Sequence, residues 1–170
     1  GTLLRSMVGS GSALELPKAL GLCHSLASVL AYVHGQDILH RDLKPDNVMV
    51  LPDGAVKLLD FGLARVTDAT RITVSGAMMG TLMYMAPEML SGRPVTAASD
   101  VYTLAVMTIE MICGQLPERQ GTTHTFNRGS LVNRGASDRL ISLLERCMAE
   151  DGRNRPQDAK AMLVDLDRLR

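Results

Sequence analysis

His40-Arg41-Asp42-Leu43-Lys44-Pro45-Asp46-Asn47 is followed, thirteen residues beyond Asn47, by Asp60-Phe61-Gly62. These residues set acceptor side chains and one lysine at the offsets a phosphoryl-transfer site needs. Such a reaction asks the protein mainly to position a hydroxyl, hold metals and stabilise charge. Asp42 is the candidate for accepting the proton of the attacking hydroxyl. Lys44, two positions on, would hold its ammonium near the transferring phosphate as a mobile point charge. Asn47 offers a neutral carbonyl oxygen and Asp60 a full negative charge. That pair suits magnesium, which takes one or two protein carboxylates or carbonyls and completes its shell with water and phosphate.

The flanking sequence explains how Asn47 and Asp60 can meet. Val48-Met49-Val50 and Val56-Lys57-Leu58 read as two short strands joined through the turn residues Pro52-Asp53-Gly54. Upstream, Leu16, Leu20, Cys23, Ala27 and Leu30, with Leu22, Leu26, Val29 and Val33, predict a helix over 16–34 that Pro17 starts and Gly35 stops. Downstream, Leu63 to Tyr84 is rich in Thr, Gly and Met without a clear period, and reads as a mobile segment. Asp100 to Ile112 is apolar nearly all round, as a helix inside a larger domain should be. Ser137–Met148 and Gln157–Leu169 are two further amphipathic patterns, and 117–134 reads as loop. Gly9-Ser10-Gly11-Ser12 lacks the third glycine and the flanking strand of a phosphate-binding loop, so it reads as a flexible connector.

These motifs resemble, in order, those of the eukaryotic-type serine/threonine protein kinases, bacterial members included. Ala86-Pro87-Glu88 is similar to the end of that family's activation segment, Asp100-Val101-Tyr102 to the start of its central helix, and Arg155-Pro156 to its late arginine. The resemblance implies a mainly α, kinase-like C-terminal lobe with a β-hairpin carrying the catalytic and metal-binding loops. Its implied ligands are ATP, at Lys44, Asn47, Met49 and Asp60, and Mg2+, at Asn47 and Asp60. Met49 would floor the adenine ring, His40 and Phe61 would be packing residues, and Glu88 would pair with Arg155. Asp100 would hold the catalytic-loop backbone. Thr81 in Gly80-Thr81-Leu82 is similar to the threonine that bridges the catalytic aspartate and lysine in Ser/Thr-specific members. Leu82 departs from the proline or alanine common there. Thr73 and Ser75 resemble activation-loop phosphosites, whose phosphate Arg41 would pair with and so order the loop; on composition alone they equally read as solubilising residues.

Residues 1–170 thus read as a partial kinase domain: a C-lobe without the glycine-rich loop and strand lysine of an N-lobe, since Lys18 is the only lysine before Lys44. The implied partners are a protein substrate and that missing lobe. A non-catalytic binding module, or a split fragment inactive without an N-lobe, is the alternative. Eighteen basic and eighteen acidic residues leave no net field to attract nucleic acid or anionic membrane, and five aromatics without Trp argue against base stacking. Cys23, Cys113 and Cys147 lack ligand spacing and read as reduced thiols of a cytoplasmic protein. Val101–Cys113, the longest apolar stretch, is interrupted by Glu110 and falls short of a membrane span; no signal peptide is visible. His24 and His34 read as core-edge or solvated residues, and His124 as a loop residue without a partner at ligand spacing.

Overall fold

A computed structural model describes residues 1–60 and 80–169. The chain opens with β1 (Thr2–Leu3) and a 3-10 turn (Leu4–Ser6), then α1 (Leu16–His34). A second 3-10 turn (Pro45–Asn47) leads into β2 (Val48–Val50) and β3 (Val56–Leu58). Beyond residue 80 come α2 (Pro87–Leu90), α3 (Ala97–Cys113), β4 (Glu118–Gln120), β5 (Thr123–Thr125), α4 (Arg128–Val132), α5 (Asp138–Cys147) and α6 (Ala159–Asp167). The fold is mainly helical, as the motifs imply, with two small antiparallel sheets.

Helix α3 is the centre. Every residue from Ala98 to Ile112 is buried, and α1, α5 and α6 pack around it. Truncating a side chain such as Leu104 or Ile112 there would cost about 2–5 kcal/mol. Gly114 ends the helix at φ +75°, and a Cβ on it would lie 2.8 Å from the Gly11 carbonyl oxygen, so only glycine fits. That close approach corrects the expectation of a flexible connector. Gly11 N donates to Gly114 O and Leu14 N to Met111 O, at 3.0 and 2.8 Å, so the connector is tied to the end of α3.

Helix α1 buries Ala19, Leu22, Cys23, Leu26, Ala27 and Leu30 against α3 and α6. It is also, among the described residues, the one helix long and apolar enough by composition to cross a membrane, a property the sequence reading sought at 101–113 instead. Cys23 and Cys147 are buried free thiols, and burial pushes them up to about 11 and about 12, so both stay protonated. The loop expected over 117–134 is largely structured. Glu118↔Thr125, Arg119↔His124 and Gln120↔Thr123 pair as a hairpin, and Asn127 caps α4 by accepting from Gly129 N at 2.8 Å. Its polar, short strands carry too little periodicity to be read from sequence.

The second sheet carries the expected hairpin. Val48 pairs with Leu58 and Val50 with Val56, while β1 adds on the other edge of β2 through Thr2↔Val50 and Leu3↔Met49. Gly54 turns the hairpin at φ +84°, with Ala55 N donating to Asp53 Oδ1.

Candidate active site

Residues 40–47 run without regular structure until Pro45 starts a 3-10 turn, so their backbone depends on partners elsewhere. Asp100, in the first turn of α3, supplies them. Its Oδ2 accepts from His40 N at 2.8 Å and its Oδ1 from Arg41 N at 3.0 Å. The carboxylate is only 2 % exposed, and a helix N-terminus is a favourable place for its charge. His34 completes the anchor. It lies 3.0 Å from Asp100 through Nε2, while its Nδ1 accepts from Ala159 N at 3.2 Å, which puts the proton on Nε2. His34 is therefore buried in the support of the loop, not a solvated or core-edge residue.

His40 is buried beneath the same loop. Its Nδ1 accepts from Asp42 N at 3.3 Å and its Nε2 donates to Leu59 O at 3.2 Å, fastening the 40–47 loop to the end of β3. Burial lowers its pKa, against the pull of Asp100, Asp42 and Asp60, so the ring is neutral at neutral pH.

Asp42, Lys44, Asn47 and Thr81 form one cluster. Asn47 Nδ2 donates to Asp42 O at 2.7 Å and to Asp42 Oδ2 at 3.1 Å. Lys44 Nζ donates to Thr81 Oγ1 at 2.7 Å and stands 3.6 Å from Asp42 Oδ2. Leu59 N donates to Asn47 O at 2.8 Å, and the β2–β3 register sets Asp60 one residue beyond that bond. Asp60 is exposed and takes φ +49°; Arg41, also not glycine, takes φ +66°. Because the Asn47 amide nitrogen is committed to Asp42, its carbonyl oxygen is the atom left to coordinate. No cluster of three or more His, Cys, Asp or Glu able to hold a metal occurs among the described residues. A two-donor site from Asn47 and Asp60 instead fits an ion that retains water and phosphate ligands. Met49 is half-buried on β2 between Leu3 and Lys57, with the Gly1 backbone against its side chain. Phe61, Thr73 and Ser75 lie outside the described residues.

Against the same first turn of α3, Glu88 and Arg155 make a two-bond ion pair, Nη1–Oε1 at 2.8 Å and Nη2–Oε2 at 3.0 Å. Burial would raise the Glu88 pKa, but hydrogen bonds from Arg155 and from Ser99 Oγ hold it below the usual value. Arg155 also donates to the carbonyls of Ala149, Glu150 and Ala98 and lies 4.8 Å above the Tyr102 ring.

Some residues at the site gave no clear signal in the sequence. Glu110 is buried in α3 and accepts from Arg5 Nη1 at 2.9 Å and from Tyr84 Oη at 2.7 Å, while Arg5 also bonds Tyr84 and reaches Asp46 at 3.3 Å. The acidic residue that interrupts the apolar stretch Val101–Cys113 was the available sign, since a buried carboxylate requires a partner. Arg5, Asp46, Tyr84 and Glu110 line an open cleft of about 650 Å³ that also reaches Gly80. His124, expected to be a loop residue, is 6 % exposed and hydrogen-bonded to Tyr102 and Met83.

Residues 1–165 match a family model described as the protein kinase domain. A probable serine/threonine-protein kinase of Clostridium acetobutylicum is 27% identical over 100% of this chain, which covers 27% of that relative. Serine/threonine-protein kinase PknA of Mycobacterium tuberculosis is 38% identical over 69% of the chain and 27% of its own length. PknB of Mycobacterium leprae is 32% identical over 99% of the chain and 29% of its own length. The chain therefore spans less than a third of each of these relatives.

Proposed function

We propose, for a chain that belongs to the protein kinase domain family, that residues 1–170 are the C-terminal lobe of a serine/threonine protein kinase and carry its transfer chemistry. The hydrogen-bonded cluster of Asp42, Lys44, Asn47 and Thr81 carries this reading. Asn47 holds the Asp42 carboxylate in place, so that Asp42 can receive the proton of a protein hydroxyl as its oxygen bonds to phosphorus and the bond from phosphorus to the leaving diphosphate breaks. Lys44 places positive charge beside Asp42, where negative charge on the transferred group must be met. Thr81 orients that ammonium from the substrate side, which supports Ser/Thr as the acceptor class.

ATP is the phosphate donor on this reading, and Asn47 and Asp60 are the residues that would hold magnesium. The ion would supply charge neutralisation at the phosphates. Met49 would lie under the base. A full nucleotide site also takes a glycine-rich loop and the strand lysine of an N-lobe; among the described residues the one strand lysine, Lys57, belongs to the β2–β3 hairpin, so an N-lobe is the partner this lobe requires. Thr73 or Ser75, phosphorylated, would pair with Arg41. The free thiols Cys23, Cys113 and Cys147 support a cytoplasmic location on this reading.

The test is Mg-ATP titration calorimetry on the chain alone and with an N-lobe supplied, alongside transfer to a serine peptide. Asp42→Ala is expected to lower transfer by about 10²–10⁴-fold or more, the scale of acid–base catalysis. Near-normal transfer would refute the assignment of the base. Failure to bind Mg-ATP even with an N-lobe would favour a binding module.

A further inference from the structure

Residues 82–85 separate Thr81, the partner of Lys44, from the Ala86-Pro87-Glu88 turn. Their own backbone bonds are long: Tyr84 N to Thr81 O is 3.2 Å and Met85 N to Leu82 O is 3.3 Å. All four of their carbonyls are instead taken by side chains. Arg119 Nη2 donates to Leu82 O at 2.9 Å and to Met85 O at 3.0 Å. His124 Nε2 donates to Met83 O at 2.9 Å, and Thr103 Oγ1 donates to Tyr84 O at 3.0 Å. Three of the four carbonyls therefore depend on the β4–β5 hairpin.

The hairpin is built for this and for little else. Arg119 has no carboxylate partner among the described residues: its remaining bond goes to Thr122 O at 3.1 Å, and its Nε is buried without a partner there. A guanidinium in that position pays desolvation with only neutral carbonyls to offset it, which is a poor arrangement for stability alone. His124 is fixed in one tautomer. The Tyr102 hydroxyl donates to Nδ1 at 2.8 Å and accepts from His124 N at 3.0 Å, leaving the Nε2 proton for Met83. Tyr102 belongs to α3 and lies beneath Arg155, so the clamp is seated on the core.

We infer that the β4–β5 hairpin is a clamp that sets the backbone of residues 82–85, directly after Thr81, and so fixes the Thr81 side of the proposed site. Arg119 and His124 are its positioning residues. This rests on the proposed kinase reading for the identity of that site, but not for the existence of the clamp.

Hydrogen exchange on the 170-residue chain reads the clamp directly. Arg119→Ala and His124→Ala should each speed exchange across 81–86 by about tenfold, the effect of losing one charge-assisted or buried hydrogen bond. Arg119→Lys and His124→Gln, which keep a donor, should recover part of it. Protection in α3 and α5 should not change. Unchanged exchange across 81–86, or an acceleration shared equally by α3 and α5 in all four variants, overturns the clamp. In the full-length gene product, the same variants should raise the peptide KM about tenfold with the ATP KM unmoved. Equal shifts in both constants overturn the substrate-side role. Absence of transfer in the unaltered protein would instead sink the kinase reading, with the clamp still decided by exchange.

Discussion

The loop at 40–47 and the segment at 82–85 are both laid against α3, but they are held with opposite polarity. The first presents N–H groups, and one buried anion, Asp100, accepts from His40 and Arg41. The second presents carbonyls, and Arg119, His124 and Thr103 donate to them. An anion at a helix N-terminus is stabilised where it sits. Arg119, with no carboxylate partner among the described residues, must be held in place by its neighbours. The 40–47 side is thus a single strong anchor, and the 82–85 side a set of weaker ones spread over a hairpin.

Removing the single anchor should have the largest effect. Asp100→Ala leaves two buried amides and His34 without their acceptor, and is expected to cost about 3–5 kcal/mol of stability in denaturant unfolding. A loss below about 1 kcal/mol would mean that the two sides are held equally loosely.

Acid should distinguish the sides next. Burial first, then the charge of Arg119, lowers the His124 pKa from 6.5 to about 4, although the bond to Met83 opposes this. Between those values the unfolded chain binds a proton that the folded ring refuses, so stability falls as pH drops from 6.5 toward 4. The charged or titratable groups around the ring are Arg119 and Tyr102, with Arg155 beyond. His124→Gln should flatten the thermal-unfolding slope in this window; an identical slope would show that His124 does not contribute to it.

Smaller still, Thr103→Val removes the one clamp bond that α3 itself makes to Tyr84, and should cost about 1 kcal/mol. Ser137→Ala, which loses the cap on Leu140 N in α5, should cost a similar ~1 kcal/mol without altering exchange in either segment. A change at 81–86 in Ser137→Ala would show that the clamp responds to any loss of stability.

The contrast also explains what could be read from the residues alone. The hairpin 48–58, helices α1, α3, α5 and α6, and the candidate cluster around Asp42 follow from periodicity and a contiguous motif, where each residue type is set by a local chemical task. The β4–β5 hairpin and its grip on 82–85 do not. Arg119 and His124 bind backbone carbonyls, which every residue possesses, so nothing in residues 82–85 points to a partner more than thirty positions away. The anchoring role of His34 was not legible for a related reason, since only the fold brings it between Asp100 and the first amide of α6.

Arg41 and Asp60 hold left-handed backbone on either side of the cluster. For a residue with a Cβ this conformation costs about 1–2 kcal/mol, less for aspartate, which tolerates it better. Those costs are met by the bonds from the buried core, not by the loops themselves. Warming the protein therefore works against the site before it works against the helices: as those bonds loosen, Arg41 has a nearby, easier conformation to relax into, and the helices do not. The geometry of the site is therefore expected to loosen at a lower temperature than the helices melt.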